Sequence, residues 1–269
     1  MQIDNQENKN KSSNDLPLTV DKRDGIAWLT LNRPKQYNAF SSALLDALHV
    51  AFDDIAHDSS IRVAVIAANG HAFCAGHDLK EMQNSTGANF AAQLFQRCSA
   101  MMLKIAKLPV PVIAEVQGMA TAAGCQLVAQ CDLAVAAESS KFAVSGVNLG
   151  LFCSTPAVAL SRTISRKRAA EMLMLGEFID APTALNWGLI NRVASAESLR
   201  AETLKLCEAL KAKPREALAM GKALFYRQLE AGIEAAYQDA SATIACNFAL
   251  PDAQEGIGAF LEKRKPNWT

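Results

Sequence analysis

His71-Ala-Phe-Cys-Ala-Gly-His-Asp-Leu-Lys-Glu-Met82 decides how the rest of the chain is read. Directly before it, Ile61-Arg-Val-Ala-Val-Ile-Ala67 is a nearly continuous apolar run rich in β-branched residues, the pattern of a strand buried on both faces. Asn69-Gly70 ends that run with a turn signal. Ala75-Gly76 lets the backbone come close to a neighbour, and Asp78 suits the N-cap of a helix beginning near Leu79. A strand, a small-residue loop and a capped helix point free backbone N–H groups at one spot. Such a spot favours negative charge, including charge that develops only in a transition state. An ordinary strand-to-helix turn accounts for the same stretch.

A second stretch repeats the design. Val112-Ile-Ala-Glu-Val116 reads as another buried strand, followed by Gln117-Gly118 and by Ala120-Thr-Ala-Ala-Gly-Cys-Gln126, a small-residue run opening a helix. Two such turns supply two N–H donors to one oxyanion. With these two stretches stand Leu31-Asn-Arg-Pro34, Asn38-Ala-Phe40, the run from Gly118 to Asp132, and the ending Glu255-Gly-Ile-Gly-Ala-Phe-Leu-Glu-Lys-Arg-Lys-Pro266. Together, in order and spacing over residues 17 to 268, they resemble the crotonase, or enoyl-CoA hydratase/isomerase, superfamily. The branch most resembled carries Gly-His-Asp-Leu-Lys-Glu-Met and Gly-Leu-Phe-Cys-Ser-Thr. The resemblance implies an α/β fold, a crotonase-like ββα superhelix with a C-terminal helical oligomerisation region.

Composition narrows the partners. The 269 residues are half hydrophobic, and 27 Lys and Arg balance 27 Asp and Glu, which argues against nucleic acid or an anionic membrane. Seven cysteines without a Cys-x-x-Cys pair read as buried and reduced, and four histidines without a Cys/His ligand pattern argue against a structural metal. With no long apolar span and no signal-peptide core, the expectation is a cytoplasmic protein. No cofactor is expected beyond coenzyme A as part of the substrate.

Residues 1–15 are polar and are expected to be a disordered tail. A crotonase-like core is expected over 16–200, opening with a β-hairpin around Arg23-Asp-Gly25, and a helical region over 201–269. After about residue 155 strand signals nearly vanish, and helices are expected over 157–163, 166–175, 181–186, 197–211, 214–230, 232–248 and 251–263. Ile233, Ala236, Tyr237, Ala240, Ile244 and Phe248 form an apolar face too large for a small helical unit to hide. It packs either on the chain's own core or, as the resemblance implies, on neighbouring subunits of a homotrimer or dimer of trimers.

The resemblance also implies a site. The oxyanion-hole donors fall on the backbone N–H groups of His77 and Ala123, where the family commonly has Gly at the second. His77, Asp78, Leu79 and Lys80 lie beside an acyl-CoA thioester, and Lys35 and Gln36 lie near its nucleotide. Phe260 and Lys263 meet the acyl chain and CoA phosphates from the same or a neighbouring subunit, although Lys263 also reads as one solvated charge of a basic run. The family's two catalytic glutamates fall on Gln126 and Gly146, neither of which moves a proton near neutral pH.

Cys153, beside a helix start, is a candidate nucleophile or base with a lowered pKa, and equally a buried thiol. The His77 side chain, Ser145 and Asn148 are weaker candidates. Three functions remain open: hydratase/isomerase-type enolate chemistry with altered proton transfer, other thioester chemistry such as hydrolysis or decarboxylation, and acyl-CoA binding without turnover. Restoring both glutamates, by Gln126→Glu with Gly146→Glu, is expected to create hydratase activity if the scaffold still positions substrate.

Overall fold

The structure is a computed structural model describing residues 16–85, 87 and 89–268. The tail expected over 1–15 lies outside the described residues. Strands β1 (Leu18–Arg23) and β2 (Ile26–Leu31) form the expected antiparallel hairpin, with Leu18 opposite Leu31 and a two-residue turn at Asp24-Gly25. Strands β3 (Val63–Ala68), β5 (Val112–Val116), β7 (Leu133–Ala137) and β10 (Arg192–Ala194) extend it in parallel, giving the order β1-β2-β3-β5-β7-β10.

After β3, β5 and β7 the chain turns and adds a short strand to a second sheet. These are β4 (Ala72–Cys74), β6 (Met119–Thr121) and β8 (Lys141–Ala143), parallel to one another, with β9 (Ile179–Asp180) antiparallel at the edge. Each turn of this ββα winding thus delivers a loop at the C-terminal end of its short strand.

Helix α1 (Ser42–His57) is capped by Ser41, whose hydroxyl accepts from the Leu44 N–H. Helices α2 (Leu79–Asn84), α3 (Phe90–Lys107), α4 (Ala123–Gln130), α5 (Ser154–Thr163), α6 (Arg166–Leu175) and α7 (Ala181–Trp187) follow. The period-two pattern of β2 divides the core. Ala27, Leu29 and Leu31 join Phe40, Phe52, Phe73 and Phe142 on one face, while Ile26 and Trp28 join Val65, Ile113 and Val135 on the other. That second face is covered by Leu199 and Cys207 of α8 (Leu199–Lys211), and the Arg200 guanidinium lies 3.8 Å over the Trp28 ring.

Helices α9 (Arg215–Gln228), α10 (Ile233–Phe248) and α11 (Pro251–Leu261) complete the chain. Helix α9 is tied to the sheet by a buried ion pair. Lys222 Nζ lies 2.6 Å from Asp132 Oδ2 and donates to the Val110 carbonyl, while the Tyr226 hydroxyl donates to Asp132 Oδ1 at 2.8 Å. Beyond this anchor α9 and α10 bury no residue in the single chain, and Phe225, Ile233, Tyr237, Ile244 and Phe248 are exposed.

Two sequence expectations are corrected. Strands β9 and β10 fall between the expected helices, in a region where no strand was expected, because two and three residues are too short to show alternation and gain their shape from edge pairing. Cys246 is exposed on α10, unlike the six buried cysteines.

Lys222→Met leaves the part-buried Asp132 carboxylate without its cation, held by the Val112 N–H and the Tyr226 hydroxyl. It is expected to lower unfolding stability by roughly 1–3 kcal/mol, read as a shift in denaturant midpoint.

Candidate active site

The loop after β4 is held from beneath by the segment before α1. Asn38 is fully buried in a left-handed conformation, φ 53°, with its side-chain amide donating to the carbonyls of Asn69 and Ala72 at 2.9 and 2.8 Å. This fixes Phe40, whose N–H donates to the Gly76 carbonyl at 2.7 Å and whose carbonyl accepts from the Asp78 N–H at 3.0 Å. His77 sits between those two bonds as the partner of Phe40 in a parallel bridge, so its own N–H faces away from the pairing.

Asp78 caps α2 by accepting from the N–H groups of Lys80 and Glu81 at 3.1 and 3.2 Å, and it pairs with Arg33 at 2.8 Å. Burial disfavours the Asp78 charge, but Arg33 and these N–H groups outweigh it and hold the carboxyl below its usual range. Glu81 reaches back to the start of α1, accepting from the Ser42 N–H and hydroxyl.

The second turn packs directly on the first. Gly76, at φ 92°, has no room for a side chain: a Cβ there would lie 2.9 Å from Ala122 Cβ and 3.2 Å from the Ala123 nitrogen. Ala123 is the first residue of α4, so its N–H has no partner within the helix. Ala122, immediately before it, is forced to φ 51° and ψ −120°, a conformation natural only to glycine.

His77 and Ala123 line one cavity of about 330 Å³. Leu79, Met82 and Phe95 close one side of it, and Leu149, Leu151 and Phe152 the other. The His77 ring stands edge-on to Phe95 at 5.1 Å and to Phe40 at 6.2 Å, and its Nε2 is sealed from solvent without a hydrogen-bond partner. Burial pushes the imidazole down to about 4, so it is neutral near pH 7.

Gly146 and Cys153 face the same cavity in direct contact. A Cβ on Gly146 would lie 2.7 Å from Cys153 Sγ and 2.6 Å from the Leu151 carbonyl oxygen. The expectation that Gly146→Glu with Gln126→Glu recreates a hydratase is therefore corrected, because the loop is closed over the place where the side chain would start. The lowered thiol pKa expected for Cys153 is also corrected. The residue precedes α5 but its side chain caps nothing, and burial pushes the thiol up, only partly opposed by the Gly146 N–H.

Gln126 does not line the cavity; it is buried in α4 with its Oε1 unpaired. Ser145 shares a hydrogen bond with Thr121 at 3.0 Å, and Asn148 is turned away to the Gly176 carbonyl. Lys35 and Gln36, in a 3₁₀ turn over Pro34–Gln36, and Asp78 and Lys80 lie outside the lining. Phe260 and Lys263 also lie apart from it. Phe260 is 81% exposed in a surface groove with Ile244 and Phe248, and Lys263 follows the end of α11.

Sequence reasoning missed Met82, Phe95, Leu149, Leu151 and Phe152. The signal for the last two is an apolar pair in a loop, immediately after Gly150.

The family profile described as Enoyl-CoA hydratase/isomerase matches residues 21–269. The chain belongs to the enoyl-CoA hydratase/isomerase family. Among solved structures of this family, the chain is 56% identical to an enoyl-CoA hydratase from Mycobacterium smegmatis, with TM-score 0.92 over 94% of this chain and 98% of that one. It is 46% identical to human enoyl-CoA hydratase domain-containing protein 3, with TM-score 0.91 over 94% of this chain and all of that one. The mouse protein of that name is 48% identical over 92% of this chain and 83% of its own length.

These relatives confirm the crotonase fold expected from the motifs and an acyl-CoA-related function. They also correct the cytoplasmic expectation, since the mouse and human proteins are both named as mitochondrial. The absence of a signal-peptide core bears on secretion and carries nothing about organelles. Among the described residues no helix is long and apolar enough to cross a membrane.

Substitutions at two positions test the geometry. Ala122→Gly is expected to raise stability by about 1 kcal/mol by relieving the forced backbone. Gly146→Ala is expected to cost about 1–3 kcal/mol through overpacking, both measured by chemical denaturation. Gly146→Glu should melt lower still and gain no crotonyl-CoA hydration.

Proposed function

We propose that the cavity binds the acyl-thioester end of a CoA derivative, with the thioester carbonyl accepting from the backbone N–H groups of His77 and Ala123. The observation that supports this reading is the contact between their two turns, with His77 and Ala123 both lining one largely apolar cavity. Preorganised donors of this kind are worth about 3–4 kcal/mol each when negative charge develops on the oxygen, which is what an enolate or tetrahedral intermediate requires. A backbone donor is indifferent to its own side chain, so histidine and alanine serve as well as glycine.

Proton transfer distinguishes this site from one with two glutamates. Among the described residues lining the cavity there is no carboxylate, and the titratable groups are neutral His77 and the raised thiol of Cys153. General acid–base groups contribute about 10²–10⁴-fold each, so ordinary hydration is the chemistry the site supports least. The lack of a lining carboxylate also favours a second reading, acyl-CoA binding without turnover.

The exposed apolar faces of α10 and α11 fit burial against other copies of the chain in a trimer or dimer of trimers. Such packing brings Phe260 and Lys263 of one copy toward the CoA of another, while Lys35 and Gln36 flank its nucleotide end.

The purified chain mixed with a panel of acyl-CoAs, with binding followed by calorimetry and products by mass, tests the reading. Thioester binding is expected, with crotonyl-CoA hydration at least about a hundredfold below that of a two-glutamate relative. Product formation from any thioester favours catalysis over simple binding. Hydration at the relative's rate contradicts the account of proton transfer, and failure to bind any thioester contradicts the site.

A further inference from the structure

From the charge and shape of the cavity we infer that its occupant is an uncharged acyl chain well beyond crotonyl in length, guided outward by Leu149 and Phe152. This deepens the thioester-binding reading and rests on it. Among the described lining residues there is no Lys, Arg, Asp or Glu. The polar groups that remain are engaged or neutral. Ser145 is bonded to Thr121, the Ser154 hydroxyl donates to the Phe152 carbonyl at 3.3 Å, and His77 is held uncharged by burial. A second carboxylate at the far end of a dicarboxylic acyl group would lose its water here and meet no ammonium or guanidinium. Malonyl-type thioesters, and decarboxylation with them, are thereby disfavoured.

Length follows from the mouth. A cavity of about 330 Å³ lies within the range of pockets that enclose drug-sized ligands, about 300–1,000 Å³. It continues onto a rim of large apolar side chains that are half-exposed or more: Leu79 at 52%, Leu149 at 63%, Leu151 at 51% and Phe152 at 53%. The rim is preformed. The Leu151 N–H donates to the Gly146 carbonyl at 2.9 Å, the Gly150 N–H to the Val147 carbonyl at 3.1 Å, and the Asn148 amide to the Gly176 carbonyl at 3.2 Å. A chain that passes the inner cavity therefore meets a fixed apolar track rather than a loop that must first be ordered.

Calorimetric titration of the full chain with butyryl-, hexanoyl-, octanoyl- and dodecanoyl-CoA, with adipyl-CoA, and with the matching alkyl-CoA thioethers tests this. Affinity is expected to rise about fourfold per added methylene inside the cavity, the gain of a fully buried CH₂, and by about twofold along the half-exposed rim. Adipyl-CoA is expected to bind at least about tenfold more weakly than hexanoyl-CoA. Leu149→Ser with Phe152→Ser, both at exposed positions where folding is not at stake, should flatten the rise beyond octanoyl.

Affinity indifferent to chain length, or adipyl-CoA as tight as hexanoyl-CoA, overturns the inference, as does failure of every compound to bind. The difference between thioester and thioether of equal length reports the His77 and Ala123 N–H groups alone. A lost difference with a retained chain-length rise overturns the carbonyl site and supports the acyl track.

Discussion

The contact between the Gly76 turn and the Ala122-Ala123 turn is the constraint on which the site depends. Two loops from successive windings must meet so closely that the first has no side chain and the second holds an alanine where glycine belongs. The sheet sets this distance, because β4 and β6 are hydrogen-bonded neighbours and each releases its loop at the same end. Asn38, Arg33 and Glu81 then keep the first loop from relaxing outward, by binding its flanking carbonyls, its cap and the start of α1. Strain of about 1–3 kcal/mol at Ala122 persists because the surrounding structure leaves it no alternative.

The other wall of the cavity is closed by packing. A side chain on Gly146 would run into Cys153 Sγ and the Leu151 carbonyl. The same loop presents Leu149, Leu151 and Phe152, so this wall of the cavity offers apolar surface and no carboxylate. On the proposed reading, hydrogen bonding to a carbonyl and burial of an acyl chain are the two interactions the cavity offers.

Much of the fold was legible from the chain. Buried strands at Val63–Ala68 and Val112–Val116 showed as apolar runs, turns as Asn-Gly and Gly-rich segments, and most helix ends within a few residues. What periodicity could not show were β9 and β10, which exist only through pairing with strands distant in sequence. That His77 and Ala123 come together on one cavity was legible because motif spacing fixes backbone placement. Side-chain states were not. The Cys153 thiol was read from its place at a helix start, but burial, which depends on everything packed around it, moves it the opposite way. Likewise Gly146 read as a missing carboxylate, and only the packing of Leu151 and Cys153 shows that nothing larger fits.

The central claim is that two backbone N–H groups polarise a thioester carbonyl, and the infrared stretch of that carbonyl reports it directly. Octanoyl-CoA labelled with ¹³C at the carbonyl, bound to the protein and compared with the free thioester in water, isolates this one bond. A bound band moved to clearly lower wavenumber, narrowed by a single fixed environment, is the predicted result. A bound band at or above the position in water would contradict the account, since the carbonyl would then sit in the apolar cavity without either donor.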